Sequence, residues 1–444
     1  MSTNARRNEL LKLINDLLCG IAQTNIASTA AKNVGDSFTW EAKKLGGKVI
    51  DYVSRKTVDP TGSWIIAASQ EELWRDAIAK LRQLKSNTVS THYVDKKLRD
   101  LIWEYKSKDW QLSQMAQDIT SLIDSIYDAE VVVRKVFLPI CGLVIRASSF
   151  IIGDVEFKPR IQCPNLDEDI KHLEEAQKTP QLDKIQTIAL TEATGVDDSM
   201  ILENAETKVN RALNILRALK YPVVANAASK QLGIMGTYYP MQKLYTFEAN
   251  HSGKEKVSQE VSSGWSLSGF VDIVINEYDA KVHFVNIGLY TLGNWLVSTS
   301  SNFERSLLRA AELLGEATKP DTLESKFLKV ALAVDAMIGD EPSEKIPDKG
   351  LRARIAERSA FIMADKYEDR RKIYADISIF FQKRGKLAHG ALAPLSEDET
   401  ERFATYARTI LILLLKLIKY QPFKDTNDLA DWALRKSFQD PDVL

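Results

Sequence analysis

Apolar residues recur at helical spacing through both outer parts of the chain. Within residues 1–128 they lie three or four positions apart, as at Leu73, Ala77 and Leu81, and this period is typical of amphipathic helices. The same spacing returns between residues 303 and 420. The pattern therefore predicts a helical region at each end of the sequence.

The middle of the chain, residues 129–300, has a different pattern of apolar residues. Short runs rich in β-branched residues are punctuated by Pro139, Gly142 and Gly153, a pattern typical of strands joined by turns. The run from 184 to 195 predicts another strand, and residues 197–220 predict a helix. Residues 265–290 resemble a hairpin, with its turn near Glu277–Ala280. Together these predictions indicate a mixed α+β module.

Start and stop signals divide the region after residue 303 into several helices. A first helix ends near Pro320, and the next begins with Asp321 and Glu324 in a capping box. That helix stops at Gly339, and a last long helix begins at Ser396. The predicted fold class is mainly α with a central α+β module and a C-terminal antiparallel helical bundle. The predicted parts are 1–128, 129–300, 303–420, and a terminal helix with a tail at 421–444.

Composition and charge are those of an ordinary soluble protein. The 444 residues are 45% hydrophobic and 27% charged, with a formal net charge of −1, so no whole-chain electrostatic signature indicates nucleic acid or membrane. Three widely spaced cysteines, at 19, 141 and 163, predict neither a disulfide framework nor a metal site. We expect a cytoplasmic protein with no metal, no cofactor and no membrane association.

One cation interrupts the apolar stripe of a predicted helix. Arg384 occupies a position where the helical period requires an apolar residue, so its guanidinium must be paired or face a cavity. His389 follows five residues later, about 140° around an ideal helix, unless Gly385 or Gly390 ends or distorts it. The structural alternative is an arginine that extends its charged group to water or pairs with a carboxylate, and a histidine at the helix end that favours the helix dipole. The stripe comprises Ile373, Ile377, Phe380, Arg384 and Leu387.

The segment KIYADISIFFQKRGKLAHG, residues 372–390, resembles the signature helix of HEPN domains. In that family an aromatic or apolar stretch leads into R-x4-H followed by glycine. The preceding segments match too, because residues 326–339 resemble the second HEPN helix and residues 355–363 the short segment before the motif. The resemblance covers about residues 303–420, a quarter of the chain, and is most like the abortive-infection (ApeA-like) branch.

The resemblance implies RNA cleavage without a metal, with the ribose 2′-hydroxyl as the nucleophile. Arg384 would bind the scissile phosphate, because a guanidinium is always charged and donates a fork of hydrogen bonds. His389 would act as general acid or base, because an imidazole exchanges protons near neutral pH. Asp335, on the second helix, is a candidate orienting carboxylate for either residue. Lys383 and Lys386 flank the motif and are candidates to bind the RNA backbone.

The resemblance also implies a homodimer, in which two R-x4-H motifs face each other across one cleft. We expect a toxin-like effector of anti-phage defence, acting by abortive infection on RNA, with tRNA among the candidate substrates. Such a nuclease must be restrained in its host. The 300 residues ahead of the helical domain are the natural sensor, and the trigger would be an activating ligand or a phage component.

Two other classes of function remain open at this stage. Gly385 follows the motif arginine at a position that is often polar in the family, so a non-catalytic HEPN domain that binds RNA or nucleotide is one alternative. The other is a dimerising helical scaffold whose N-terminal region recruits a partner. Loss of RNA cleavage in Arg384→Ala and His389→Ala variants separates the enzyme from both.

Overall fold

A computed structural model of the chain is mostly helical with a small, largely antiparallel sheet, which confirms the coarse fold class. It divides into two compact units, one of residues 1–133 with 193–204 and one of residues 134–192 with 205–444. No helix in the described part of the chain is both long and apolar enough to cross a membrane. The structure describes residues 3–32, 68–85, 88–108, 114–163, 186–220, 232–234, 245–249, 255–260, 273–319, 321–339 and 350–438.

The first unit contains four described helices around one apolar core. They are α1 (Thr3–Lys32), α2 (Ala68–Leu84), α3 (Thr91–Ser107) and α4 (Met115–Tyr127). Each helix contributes buried residues at three- and four-residue spacing, such as Leu10, Ile14 and Leu17. Trp74 packs in this core and its indole N–H donates to Asp95, 3.0 Å away. The described residues between 3 and 128 are mainly helical, as the sequence predicts, and residues 33–67 lie outside the described part.

The described strands at 132–159 and 187–195 fall where the sequence predicts strands, whereas those between 233 and 260 were not predicted. The main path of the sheet runs β3, β4, β5, β1, β7, β8, with β6 paired to β1 and a separate parallel pair of β2 and β9. Gly142 and Gly153 take positive φ angles of 73° and 67° at the turns, which glycine tolerates best. The elements are β1 (Val132–Cys141), β2 (Leu143–Ile145), β3 (Phe150–Ile152), β4 (Val155–Pro159), β5 (Thr187–Gly195), α5 (Asp198–Lys220), β6 (Gly233–Ile234), β7 (Tyr245–Ala249), β8 (Glu255–Glu260) and β9 (Ile273–Ile275).

The predicted hairpin at Glu277–Ala280 is wrong, because the chain turns helical directly after β9. The Asp279 N–H donates to the Asn276 side chain at 2.9 Å, and the Asn276 N–H donates to the Asp279 carboxylate at 3.2 Å. This reciprocal capping starts a helix and overrides the β-branched residues that suggested a strand. The helical elements are a π-helix (Asp279–His283), α6 (Phe284–Asn286) and α7 (Leu289–Val297).

Six described helices complete the second unit. Two of their boundaries lie where the sequence predicts, since Gly339 ends its helix and Ser396 caps the last long one. The first helix has a capping box of Ser301 and Glu304, which was not predicted. The second of these helices is capped by Thr322 rather than by Asp321. The helices are α8 (Asn302–Ala317), α9 (Leu323–Ile338), α10 (Leu351–Met363), α11 (Tyr367–Ala388), α12 (Glu397–Leu417) and α13 (Thr426–Ser437).

Three phenylalanines hold α9, α11 and α12 together. Phe380 lies with its ring centroid 4.6 Å from that of Phe403, and Phe327 lies 5.1 Å from Phe403. The predicted α+β module and the predicted helical domain share one compact unit. A close approach of α8 to α5 joins them, since a Cβ on Gly315 would overlap the Asn214 backbone.

Candidate active site

The helix that carries the R-x4-H motif is continuous through the motif. Helix α11 runs without interruption from Tyr367 to Ala388, so Gly385 neither ends nor distorts it. A Cβ built on Gly385 meets no atom within 4 Å. The glycine is therefore not required by packing, and the two motif side chains keep their helical separation of about 140°.

His389 is the C-terminal cap of α11, in a Schellman motif. Gly390 adopts a left-handed φ of 73° and donates to the Leu387 carbonyl at 3.0 Å, while Ala391 donates to the Lys386 carbonyl at 2.9 Å. These bonds satisfy the last carbonyls of the helix. The His389 side chain is exposed, and no described residue forms a hydrogen bond or ion pair with its ring. Gly390 thus ends the helix directly after His389.

Arg384 lies at the rim of the bundle rather than in its interior. Its side chain is 30% exposed, whereas Ile377 and Phe380 on the same stripe are fully buried. The guanidinium is therefore only half-buried. The residues of α11 after Phe381 are half-buried or exposed. At this end of the helix, the long arginine side chain brings its guanidinium close to water.

The structure brings Arg384 and Asp335 together across α11 and α9. One guanidinium nitrogen of Arg384 lies 4.0 Å from Oδ2 of Asp335, which is an ion pair without a direct hydrogen bond. Burial raises the pKa of the Asp335 carboxyl, and the nearby Arg384 charge offsets part of that rise. No described residue donates a hydrogen bond to this carboxylate. Asp335 is close to Arg384, and its carboxylate keeps acceptor capacity for another partner.

The two lysines that flank the arginine have different surroundings. Lys383 donates to the Glu399 carboxylate at 2.5 Å and to the Pro394 carbonyl at 2.7 Å, so its ammonium group ties the loop after α11 to the start of α12. Lys386 is exposed. Of the two predicted RNA contacts, Lys383 is bound to other groups of the fold, whereas no described residue pairs with the exposed ammonium group of Lys386.

His389 belongs to an exposed stripe of α11 that excludes Arg384. Successive members of this outer stripe are four or three residues apart, the spacing of one helix face. Ile379 contributes an exposed apolar side chain at its centre, with 46% of its surface accessible. One chain therefore presents the two motif residues on different sides of the helix. The outer stripe comprises Arg371, Ala375, Ile379, Gln382, Lys386 and His389.

An open groove beside Asp335 is a feature that sequence reasoning missed. It has a volume of about 460 Å³ and lies between α8, α9 and α13. No local pattern predicts this groove, because its lining residues come from three helices and form no motif. Its lining includes Ser306, Arg309, Leu332, Asp335, Gly339 and Thr426.

Comparisons of the chain with protein-family models, with curated proteins and with solved structures give no match. Within the described ranges, no group of three or more histidine, cysteine, aspartate or glutamate side chains is placed to hold a metal ion. The site therefore has to be interpreted from its own residues. It offers a guanidinium at the rim, a lightly paired carboxylate and an exposed imidazole at an ordered helix end.

Proposed function

We propose that the chain is a metal-independent endoribonuclease of the HEPN type that acts as a homodimer. The observation that carries the proposal is the Schellman cap at His389 and Gly390. It holds an exposed imidazole, with which no described residue forms a hydrogen bond or ion pair, about one and a half turns beyond Arg384. The carboxylate partner of Arg384 lies too far away for a direct hydrogen bond.

The chemistry follows from what each group can do. Arg384 donates hydrogen bonds to the non-bridging oxygens of the scissile phosphate and stabilises the charge that grows on them. The ribose 2′-oxygen attacks phosphorus, the bond from phosphorus to the 5′-oxygen breaks, and His389 relays the proton from the 2′-hydroxyl to the leaving oxygen. The products are a 2′,3′-cyclic phosphate and a 5′-hydroxyl end.

The proposed site needs two copies of the chain, because the two motif residues of one chain lie on different sides of α11. Arg384 and His389 lie about 140° apart on α11, so they do not converge on one phosphate. The outer stripe of α11 carries the small Ala375 and the exposed Ile379, which suit close packing against a second copy. In such a dimer, as the resemblance implies, the two R-x4-H motifs face each other across one cleft.

The biological role rests on the resemblance alone. A nuclease of this type that acts on cellular RNA, including tRNA, would halt growth of an infected cell and so act as an abortive-infection toxin. The chain has a separate helical unit, residues 1–133 with 193–204, which is the candidate sensor for an activating ligand or a phage component.

Incubation of the purified protein with total RNA and with tRNA, in EDTA, tests the proposal. The wild type should generate fragments whose 5′-hydroxyl ends accept phosphate from polynucleotide kinase without prior phosphatase treatment. Arg384→Ala and His389→Ala should lose this activity by at least about a hundredfold. Lys416→Ala is the control, because Lys416 is an exposed cation of α12 and lies outside the outer stripe of α11. RNA that stays intact with the wild type, or equal cleavage by all variants, would refute the proposal.

A non-catalytic domain that binds RNA or nucleotide is the second candidate. The groove beside Asp335 favours it, because this groove offers a ligand site independent of His389. Under this alternative the wild type binds RNA and leaves it uncut, and His389→Ala changes nothing. The cleavage assay, combined with a filter-binding measurement, separates the two.

A further inference from the structure

The groove between α8, α9 and α13 has the size and mixed lining of a small-ligand site. Its volume of about 460 Å³ falls within the range of roughly 300–1,000 Å³ that such sites occupy. Leu313 and Leu332 provide an apolar surface, and 44% of the Leu332 side chain is exposed. Ser306 and Thr426 add hydroxyl groups. A flat, partly polar ring would find both an apolar contact surface and hydrogen-bonding groups here.

Two groups of opposite charge enter the groove from neighbouring helices. Arg309 of α8 is only loosely held, since its guanidinium lies 3.9 Å from Glu312 and its side chain is 59% exposed. Asp335 of α9 has a carboxylate to which no described residue donates a hydrogen bond. A Cβ on Gly339 would overlap Asp335, so the glycine leaves the space that the carboxylate occupies.

We propose that this groove binds a guanine base of the RNA beside the scissile phosphate. Arg309 donates to the O6 and N7 acceptors of guanine, which is the commonest specific contact of arginine with a base. Asp335 accepts from the N1–H and N2–H donors on the adjoining edge. Adenine, cytosine and uracil each lack part of this pattern, so the groove discriminates against them.

The position of Asp335 couples the base to the phosphate. The same carboxylate lies 4.0 Å from the Arg384 guanidinium. The two groups form no direct hydrogen bond that a bound base would have to break. When guanine engages Asp335, the Arg384 charge is less neutralised and binds the adjacent phosphate more strongly. The inference rests on the proposed function in taking RNA as the natural ligand and Arg384 as its phosphate-binding residue.

Calorimetric titration of the purified full-length protein with nucleoside 3′-monophosphates tests the proposal without requiring cleavage. Guanosine 3′-monophosphate should bind at least about tenfold more tightly than the adenosine, cytidine and uridine compounds. Inosine 3′-monophosphate, which lacks the N2 amine, should bind more weakly than the guanosine compound. Asp335→Asn and Arg309→Gln should each abolish the preference. Arg305→Gln should keep it, because Arg305 is an exposed arginine of the same helix outside the groove.

Thermal unfolding of each variant checks that the fold is intact, and the exposure of Arg309 makes Arg309→Gln the safer of the two substitutions. Equal binding of the four nucleotides, no nucleotide binding at all, or a guanine preference unchanged in both groove variants would each overturn the inference. Selective guanosine binding by a protein that cuts no RNA would leave the groove assignment standing and refute the nuclease.

Discussion

The Asp335 carboxylate lies 4.0 Å from the Arg384 guanidinium, close enough for attraction and too far for a hydrogen bond. Asp335 is 29% exposed, and burial raises its pKa, so the attraction of Arg384 does not fully offset the desolvation of the carboxylate. A group whose ionised form is disfavoured by its own fold is a frequent sign of function. The pair is thus better suited to accepting a ligand than to stabilising the bundle.

Asp335→Asn should stabilise the protein at neutral pH by about 0.5–1 kcal/mol while it removes function. Because the folded-state pKa is raised, the aspartate's contribution to stability is fully present below the ordinary carboxyl pKa of about 4. That contribution is lost as the pH rises through the folded-state value. The gain from asparagine should therefore vanish in acid. Urea unfolding of both proteins at pH 7 and pH 3 measures the difference, and a less stable variant at pH 7 would contradict it.

Lys383 and Lys386 should separate stability from RNA binding. Lys383→Ala removes the contacts to Glu399 and Pro394 and should lower the free energy of unfolding by about 1–2 kcal/mol. Lys386→Ala should leave stability within about 0.5 kcal/mol and reduce the salt dependence of RNA binding by about one unit of slope. Filter binding over a salt series, beside urea unfolding, measures both. A larger slope change in Lys383→Ala than in Lys386→Ala would reverse the assignment.

Glycine-to-alanine substitutions should have opposite effects on either side of His389. Gly385→Ala adds a methyl group in open space within a regular helix and should stabilise by about 0.5–1 kcal/mol. Gly390→Ala forces alanine into a φ of 73° and should destabilise by about 1 kcal/mol. Thermal melts of the pair provide the comparison. RNA cleavage should survive Gly385→Ala, and a loss of activity there would mean that the motif needs the bare backbone.

Mixing two inactive variants tests whether the site is shared between copies. Arg384→Ala and His389→Ala dimers each lack one kind of group, whereas their heterodimer combines one arginine with one histidine. Random exchange makes about half of the dimers mixed. Each mixed dimer keeps one of the two shared sites of the wild type, so up to about a quarter of the wild-type cleavage should return. Ile379→Arg, in the centre of the outer stripe, should prevent both dimerisation and this recovery. Sedimentation and RNA cleavage are the measurements, and no recovery from an exchanging mixture would place each site within one chain.

The contact of α8 with α5 should tolerate no side chain at Gly315. A Cβ there would overlap the Asn214 backbone, so Gly315→Ala has to separate two packed helices and should cost about 1–3 kcal/mol. Gly350→Ala is the control, because a Cβ at Gly350 meets nothing within 4 Å. Urea unfolding of both variants measures the cost. Equal stability would mean that the helices separate freely at this point.

Local chemistry in the sequence predicts most of the elements. Gly142 and Gly153 mark turns between short β-branched runs, and Ser396 marks a helix start, because each effect depends on neighbouring residues only. The hairpin prediction was wrong because two local signals competed at the same place. The Asn276 and Asp279 capping pair was present in the sequence and was outweighed by an alternating apolar pattern.

The candidate site was less predictable because it depends on where helices end against one another. The period of α11 places Arg384 on the apolar stripe, but only the packed bundle shows that the stripe reaches the rim there. Lys383 and Lys386 look alike in the sequence, and only the fold pairs Lys383 with Glu399. Arg309 has no local signal, since its relevance arises from a groove shared with Asp335.

The left-handed turn at Gly390 ends the helix directly after His389. The number of residues between Arg384 and His389 therefore determines where the imidazole lies relative to the arginine. Removing or adding one residue between Arg384 and His389 would rotate the imidazole by about 100° around the helix axis and shift it by about 1.5 Å. The identities of the intervening residues can therefore drift, whereas their number cannot.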